Sequence, residues 1–111
     1  MAETEVSSVS PARRDVLRSV LSGYSEQIDR VAVFGSHALG RARDNSDIDL
    51  VIYGQLTDRD IDRLWTLFDS SQLSVPVDVV HYRSTLYPPL KNHIDAVAKT
   101  LFTKQQLQVP R

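Results

Sequence analysis

Apolar positions along the chain fall into short runs with two different periods. Val16, Leu17, Val20 and Leu21 recur at helical spacing behind Ser10-Pro11, which reads as an N-cap followed by proline at the first helical position. Gly23 closes this predicted helix, 11–22. Residues 30–35, RVAVFG, are a continuous apolar run ending in glycine, as expected of a strand buried on both faces. A short helix over 36–40 and a polar, turn-rich stretch, 41–46, lead into DIDLVIY at 47–53. In that predicted strand Ile48, Leu50 and Ile52 share one face, and Asp47, Asp49 and Val51 share the other.

Thr57 and Asp60 form a capping-box pattern for a helix over about 58–70, with Ile61, Leu64, Trp65 and Phe68 as its core stripe. Residues 76–82, PVDVVHY, predict a third strand with Pro76 at its first position, where proline is tolerated. Pro88-Pro89 opens a last helix to about Ala96, with Leu90, Ile94 and Val97 as its apolar side. Residues 98–102 fit either a continuation of that helix or an extended segment. The expected fold class is α/β (α+β) in two layers, a small three-stranded sheet flanked by about four helices. Residues 1–9 lack periodicity and are expected to be a flexible N-terminus, leaving 10–111 as the folded domain.

Composition narrows the classes. The 111 residues are 41% hydrophobic and 24% charged, ordinary for a globular protein with one core. A net charge of −1 offers no broad attraction for nucleic acid or anionic membrane, so neither is expected to be bound directly. Without cysteine there are no disulfides and no thiolate metal sites. The opening MAETEVSSVS has neither a basic n-region nor an apolar h-region, and no run reaches membrane-spanning length. A cytoplasmic location is expected. Arg exceeds Lys within a combined 13, which suits phosphate recognition but equally reflects codon usage.

The chemistry concentrates in GSHALGRARDNSDID, from Gly35 to Asp49. Glycine at 35 removes the Cβ where a phosphate would approach the backbone, and Ser36 adds a hydroxyl and an N–H at a helix start. No Gly-Lys-Ser/Thr follows, so this is not a P-loop. Asp47 and Asp49, two residues apart on one strand face, lie about 6.5–7 Å apart and present hard oxygen ligands suited to Mg²⁺. Asp78 interrupts the apolar PVDVV, where a carboxylate needs a partner. If the third strand pairs with the second, three carboxylates converge and suit two Mg²⁺ ions about 3.5–4 Å apart.

Gly35-Ser36, ten residues, Asp47-x-Asp49 and a later strand with Asp78 together resemble the nucleotidyltransferase superfamily that shares its catalytic core with DNA polymerase β. GSHALGRA followed by SDIDLVI is similar above all to its minimal members, the MntA-type antitoxins. The resemblance is detailed from about Arg30 to Tyr82 and implies a nucleotidyltransferase fold with a mixed sheet. It implies that Gly35 and Ser36 hold the β- and γ-phosphates of ATP, and that Asp47 and Asp49 ligate two Mg²⁺ ions. It further implies that Asp78 completes the metal site and assists deprotonation of an acceptor hydroxyl, which attacks the α-phosphate and expels pyrophosphate. For MntA-type proteins that acceptor is a tyrosine of a partner HEPN-domain toxin, which receives AMP and is neutralised. His37 stands where many relatives carry arginine, so Arg41 or Arg43 is expected to take over its phosphate contact. The chain lacks the extra helical domain of larger members, and an acceptor on another protein is the simplest completion.

Other residues read as structural. His81 has the opposite parity to Asp78 and is expected to face the helices; His93 is expected at the surface, and Tyr53 to pack on the sheet. Asp58, Asp60 and Asp62 open a helix, where negative charge is favourable. Two other functions stay open: a binding module that neutralises its partner by covering it, and nucleotidyl transfer to RNA or a small molecule.

Overall fold

The computed structural model describes residues 9–108. Of the expected flexible segment 1–9, residues 1–8 lie outside the described residues, and Val9 is buried against the core. Helix α1 (Pro11–Leu21) begins as its sequence dictates: Pro11 is at the first helical position, and the Ser10 hydroxyl accepts the Arg13 N–H at 3.3 Å. It does not end on a glycine cap. A 3-10 turn, Ser22–Tyr24, prolongs it, and Gly23 has no positive φ.

The elements that follow are β1 (Ile28–Phe34), α2 (Ser36–Leu39), β2 (Ile48–Gly54), α3 (Asp58–Asp69), β3 (Val77–His81), α4 (Pro88–Val97), β4 (Lys99–Thr103) and α5 (Lys104–Gln108). The capping box at α3 is complete: Thr57 N–H donates to Asp60 Oδ2 at 3.0 Å, and Asp60 N–H to Thr57 Oγ1 at 3.1 Å.

The sheet runs in the order β3-β2-β1-β4. β1 is antiparallel to both of its neighbours, whereas β2 and β3 are parallel. A parallel pair cannot be closed by a hairpin, and α3 is the crossover that joins it. Strand parity divides the side chains between two cores. Val31, Val33, Ile48, Leu50, Ile52, Val77 and Val79 pack with Leu17 and Leu21 of α1 and Leu64 and Phe68 of α3. On the other face Ala32, Phe34, Val51, Tyr53 and Val80 pack with Leu90, Ile94 and Val97 of α4. β2 therefore has buried apolar residues on both faces, and the charged residue among them is the half-buried Asp49.

Two expectations are corrected. Among the described residues the sheet has four strands rather than three, because the segment after α4 pairs with β1 instead of extending the helix, and there are five α-helices. A register shift in this pairing, between Val31 and Ala32, lets the consecutive residues Leu101 and Phe102 both be buried. That removes the period-two alternation by which a strand is recognised. The pairing is anchored from α1: the Arg14 guanidinium lies 4.6 Å from the Phe102 ring centre and donates to Leu101 O at 3.1 Å, and Arg18 Nε donates to Gln106 O at 3.0 Å. Trp65, expected in the core stripe of α3, is 42% exposed. Ile61, Leu64 and Phe68 fill the arc facing the sheet, and Trp65 falls at its edge. There it borders a groove of about 270 Å³ with Phe68, Asp69, Leu73 and Val75.

Phe102 is fully buried and seats β4 on the core, so Phe102→Ala is expected to cost about 3–5 kcal/mol. Urea unfolding checks this; a cost below about 1 kcal/mol would mean that β4 is not part of the cooperative unit.

Candidate functional site

One end of the sheet gathers the candidate residues because three strand termini meet there. β1 ends at Phe34, β2 begins at Ile48 and β3 begins at Val77. In the ladders Phe34 pairs with Asp49, and Asp49 pairs with Asp78. Paired residues on adjacent strands share a face, and strands lie about 4.8 Å apart. Asp49 and Asp78 are therefore forced into proximity by register alone.

Gly35 closes the third side. Its φ is 67°, which only glycine adopts without strain, and a Cβ built on it would collide with Asp49 Oδ2. The backbone thus passes directly over the Asp49 carboxylate and turns into α2, whose first residue is Ser36. The Gly35 carbonyl accepts from Ala38 and Leu39 N–H at 3.1 and 3.0 Å, so the turn is wound tightly at this point.

The electrostatics follow from the packing. The Asp49 carboxyl is pushed up from its ordinary 3.8 to about 6. Burial is the largest cause, followed by the charge of Asp78 and by a hydrogen bond that protonated Asp49 donates to Asp78; Asp47 adds to it, and His93 partly offsets it. Two carboxylates held together without a compensating cation cannot both ionise freely.

The sequence-derived residues are not all brought together. Asp49 and Asp78 form the close pair. Asp47 is exposed, one residue before β2, and reaches Asp49 through its charge rather than through the ladder. Among the described residues no cage of three ready metal-ligating side chains exists. The pair still fits Mg²⁺, which takes one or two carboxylates and fills its octahedron with waters and substrate phosphates. Asp49 and Asp78, with Asp47 at the mouth, are the groups that could hold it. Arg41 and Arg43 are exposed in the loop between α2 and β2, and among the described residues neither forms an ion pair with the aspartates. His37 is buried, with its pKa lowered by desolvation and by Arg13, and its ring hydrogen-bonds the Ser46 backbone, so it does not stand in for a surface arginine.

One residue of the site lay outside the sequence reading. His93, expected at the surface, is partly buried on α4, edge-on to Phe34 with ring centres 6.1 Å apart, and its charge reaches Asp49. The signal was present: His93 is three residues after Leu90 and four before Val97, at the margin of the apolar stripe that docks α4. His81 faces the helices as expected, with Nε2 2.8 Å from Gly54 O. Tyr53 packs in the sheet layer, 4.8 Å from the Tyr82 ring and under the Arg30 guanidinium at 4.1 Å.

Comparison with known proteins agrees with this architecture. Residues 16–107 match the family described as polymerase beta, nucleotidyltransferase. A solved structure assigned as a minimal nucleotidyltransferase is 37% identical, with 78% of this chain and 87% of that one aligned at a TM-score of 0.57. A toxin-antitoxin structure with AMP-PNP aligns over 86% of this chain and 80% of its own, at 22% identity and a TM-score of 0.66. A complex of tri-AMPylated Shewanella oneidensis HEPN toxin with MNT antitoxin aligns over 84% and 75%, at 21% identity and a TM-score of 0.57. At those two identities the likeness is one of fold. Among curated proteins none matches the chain.

Because the folded-state value of Asp49 lies above its ordinary 3.8, its contribution favours folding below that pH and is lost as pH rises through about 6. The metal-free protein is expected to lose stability between these values, and Asp49→Asn to remove that loss. Urea midpoints at pH 4, 5, 6 and 7 in EDTA check it; identical pH profiles for the two proteins would contradict the assignment.

Proposed function

The chain belongs to the polymerase β nucleotidyltransferase family, and from that premise we propose that it transfers AMP from ATP, with Mg²⁺, to a hydroxyl of a partner protein. The partner we propose is a HEPN-domain toxin, the acceptor a tyrosine and the consequence neutralisation of the toxin in the cytoplasm. The observation that carries this reading is the register pairing of Asp49 with Asp78 beneath the Gly35 turn. It provides a seat for hard cations beside a backbone surface that a phosphate can approach. The fold shared with the AMP-PNP-bound toxin-antitoxin structure and with the AMPylated HEPN toxin complex supports the choice of nucleotide and partner.

In this reading Gly35 and Ser36 hold the β- and γ-phosphates through backbone N–H groups and the serine hydroxyl. Arg41 and Arg43, whose side chains are exposed in the loop between α2 and β2, contact the phosphate chain. Asp47, Asp49 and Asp78 would hold the Mg²⁺, which when bound supplies charge stabilisation to the transferring phosphoryl group. Asp78 takes the proton of the attacking hydroxyl. The new bond joins that oxygen to the α-phosphorus, the bond to the bridging oxygen breaks, and pyrophosphate leaves. Phe34 and His93 wall the site on the α4 side and limit water access to the carboxylates.

Incubation of the chain with ATP labelled on the α-phosphate, Mg²⁺ and a HEPN-domain toxin is expected to label that toxin. Asp49→Asn is expected to reduce labelling by about 10²–10³-fold while retaining the fold. Undiminished labelling by this variant would overturn the carboxylate mechanism. Neutralisation of the partner without label would replace transfer by simple binding.

A further inference from the structure

Between Gly35-Ser36 and Asp47 the chain must span a polar loop that nothing in the sheet holds. The structure braces it at successive points. Arg41 N–H donates to Ser36 O at 3.0 Å, which fixes the exit from α2. Arg43 N–H donates to Ser46 Oγ at 2.7 Å and Ser46 N–H returns to Arg43 O at 3.0 Å, closing a turn directly before Asp47. The buried His37 ring ties the Ser46 backbone to α2. The remaining brace comes from the far end of the sequence: Arg13 Nη2 donates to Asp44 O at 2.7 Å and to Ser74 Oγ at 3.4 Å.

Those two acceptors belong to different loops. Asp44 lies three residues before Asp47, and Ser74 lies four residues before Asp78. The loops also meet where Ile48 N–H donates to Pro76 O at 3.0 Å. One guanidinium on α1 therefore spans both segments that deliver carboxylates to the site. Both bonds leave one nitrogen, Nη2, whose two N–H groups have fixed directions in the guanidinium plane, whereas the lysine ammonium sits at the end of a shorter, more flexible stem.

We infer that Arg13 is a positioning residue of the transfer site, holding the loop that ends in Asp47 against the loop that leads into Asp78. This rests on the reading of those aspartates as cation ligands given above. Asp47 most needs such support, since it lies outside the ladder that registers Asp49 and Asp78. Arg13 touches no substrate in this role. It acts by keeping an exposed carboxylate where the half-buried pair can share a cation with it.

Arg14, on the same helix, provides the control, because its guanidinium bonds Leu101 O and stacks on Phe102 at β4, and among the described residues it makes no hydrogen bond to either loop. Hydrogen exchange and calorimetric Mg²⁺ binding with a non-hydrolysable ATP analogue are to be measured for wild type, Arg13→Gln, Arg13→Lys and Arg14→Gln. Arg13→Gln is expected to speed exchange at residues 42–47 and to weaken Mg²⁺ binding about 10-fold, with exchange in β1 and β2 unchanged. Arg13→Lys is expected to fall between that variant and wild type. Arg14→Gln is expected to lower thermal stability and leave Mg²⁺ binding as in wild type. Unchanged exchange at 42–47 together with unchanged Mg²⁺ binding in Arg13→Gln would overturn the inference, as would equal weakening of Mg²⁺ binding in Arg14→Gln. Should Arg13→Gln unfold, Ser74→Ala decides instead: it removes one arm of the brace and is expected to weaken Mg²⁺ binding alone. Failure of the wild type to transfer AMP would refute the proposed function, while the exchange and binding comparison would still decide the role of Arg13.

Discussion

Two carboxylates at paired positions of neighbouring parallel strands repel each other, and much of this molecule is arranged so that they cannot move apart. Asp49 is held by the β1 ladder on one side and the β3 ladder on the other, and Gly35 lies over it. Relaxing the repulsion would need a slip of register. A one-residue slip would send Ile48, Leu50 and Ile52 to the wrong face and empty the larger core. The hydrophobic effect across the whole sheet thus keeps one local electrostatic conflict in place. In the proposed function a divalent cation with a phosphate ligand relieves that conflict.

The two faces of the sheet divide the labour. The face toward α1 and α3 carries most of the buried apolar side chains and sets the fold. The opposite face is covered by α4 over its middle, with Ala32, Val51 and Ile94 at the centre, and its end is left to the aspartates. His93 and Phe34 mark the boundary between the two regions. The smaller cluster therefore also sets how close α4 comes to the carboxylates. The arginines follow the same logic of distance. Arg13, Arg14 and Arg18 reach from one helix to main-chain carbonyls 31, 87 and 88 residues away in sequence, tying segments that share no ladder.

What was legible in the sequence was whatever local chemistry dictates. Ser10-Pro11 and Thr57-Asp60 specify helix starts through hydrogen bonds within four residues, and both form. The alternation in DIDLVIY places its side chains correctly because β2 is paired on both sides without a bulge over 48–52. Asp78 was legible as an oddity, a charge in an apolar strand, although its pairing with Asp49 depends on a parallel crossover that local patterns do not encode. β4 was not legible, since five residues with a register shift keep no period. Asp47 shares the parity of Asp49 and Val51 but lies one residue before the ladder begins. His93 is polar yet sits at the margin of the α4 face that docks on the sheet, and Trp65 is apolar yet sits at the edge of the α3 stripe, so polarity alone misplaces both.

The central claim is that the Asp49 carboxyl, pushed up first by burial and then by the charge of Asp78, is kept ionised by a nucleotide-bound cation. Carbon-detected NMR titration of the Asp49 carboxyl tests it most directly. In EDTA the group is predicted to titrate near 6. With Mg²⁺ and a non-hydrolysable ATP analogue it is predicted to stay ionised well below that pH. A carboxyl that titrates near its ordinary 3.8 without the cation, and does not respond to Mg²⁺ and nucleotide, would contradict the account.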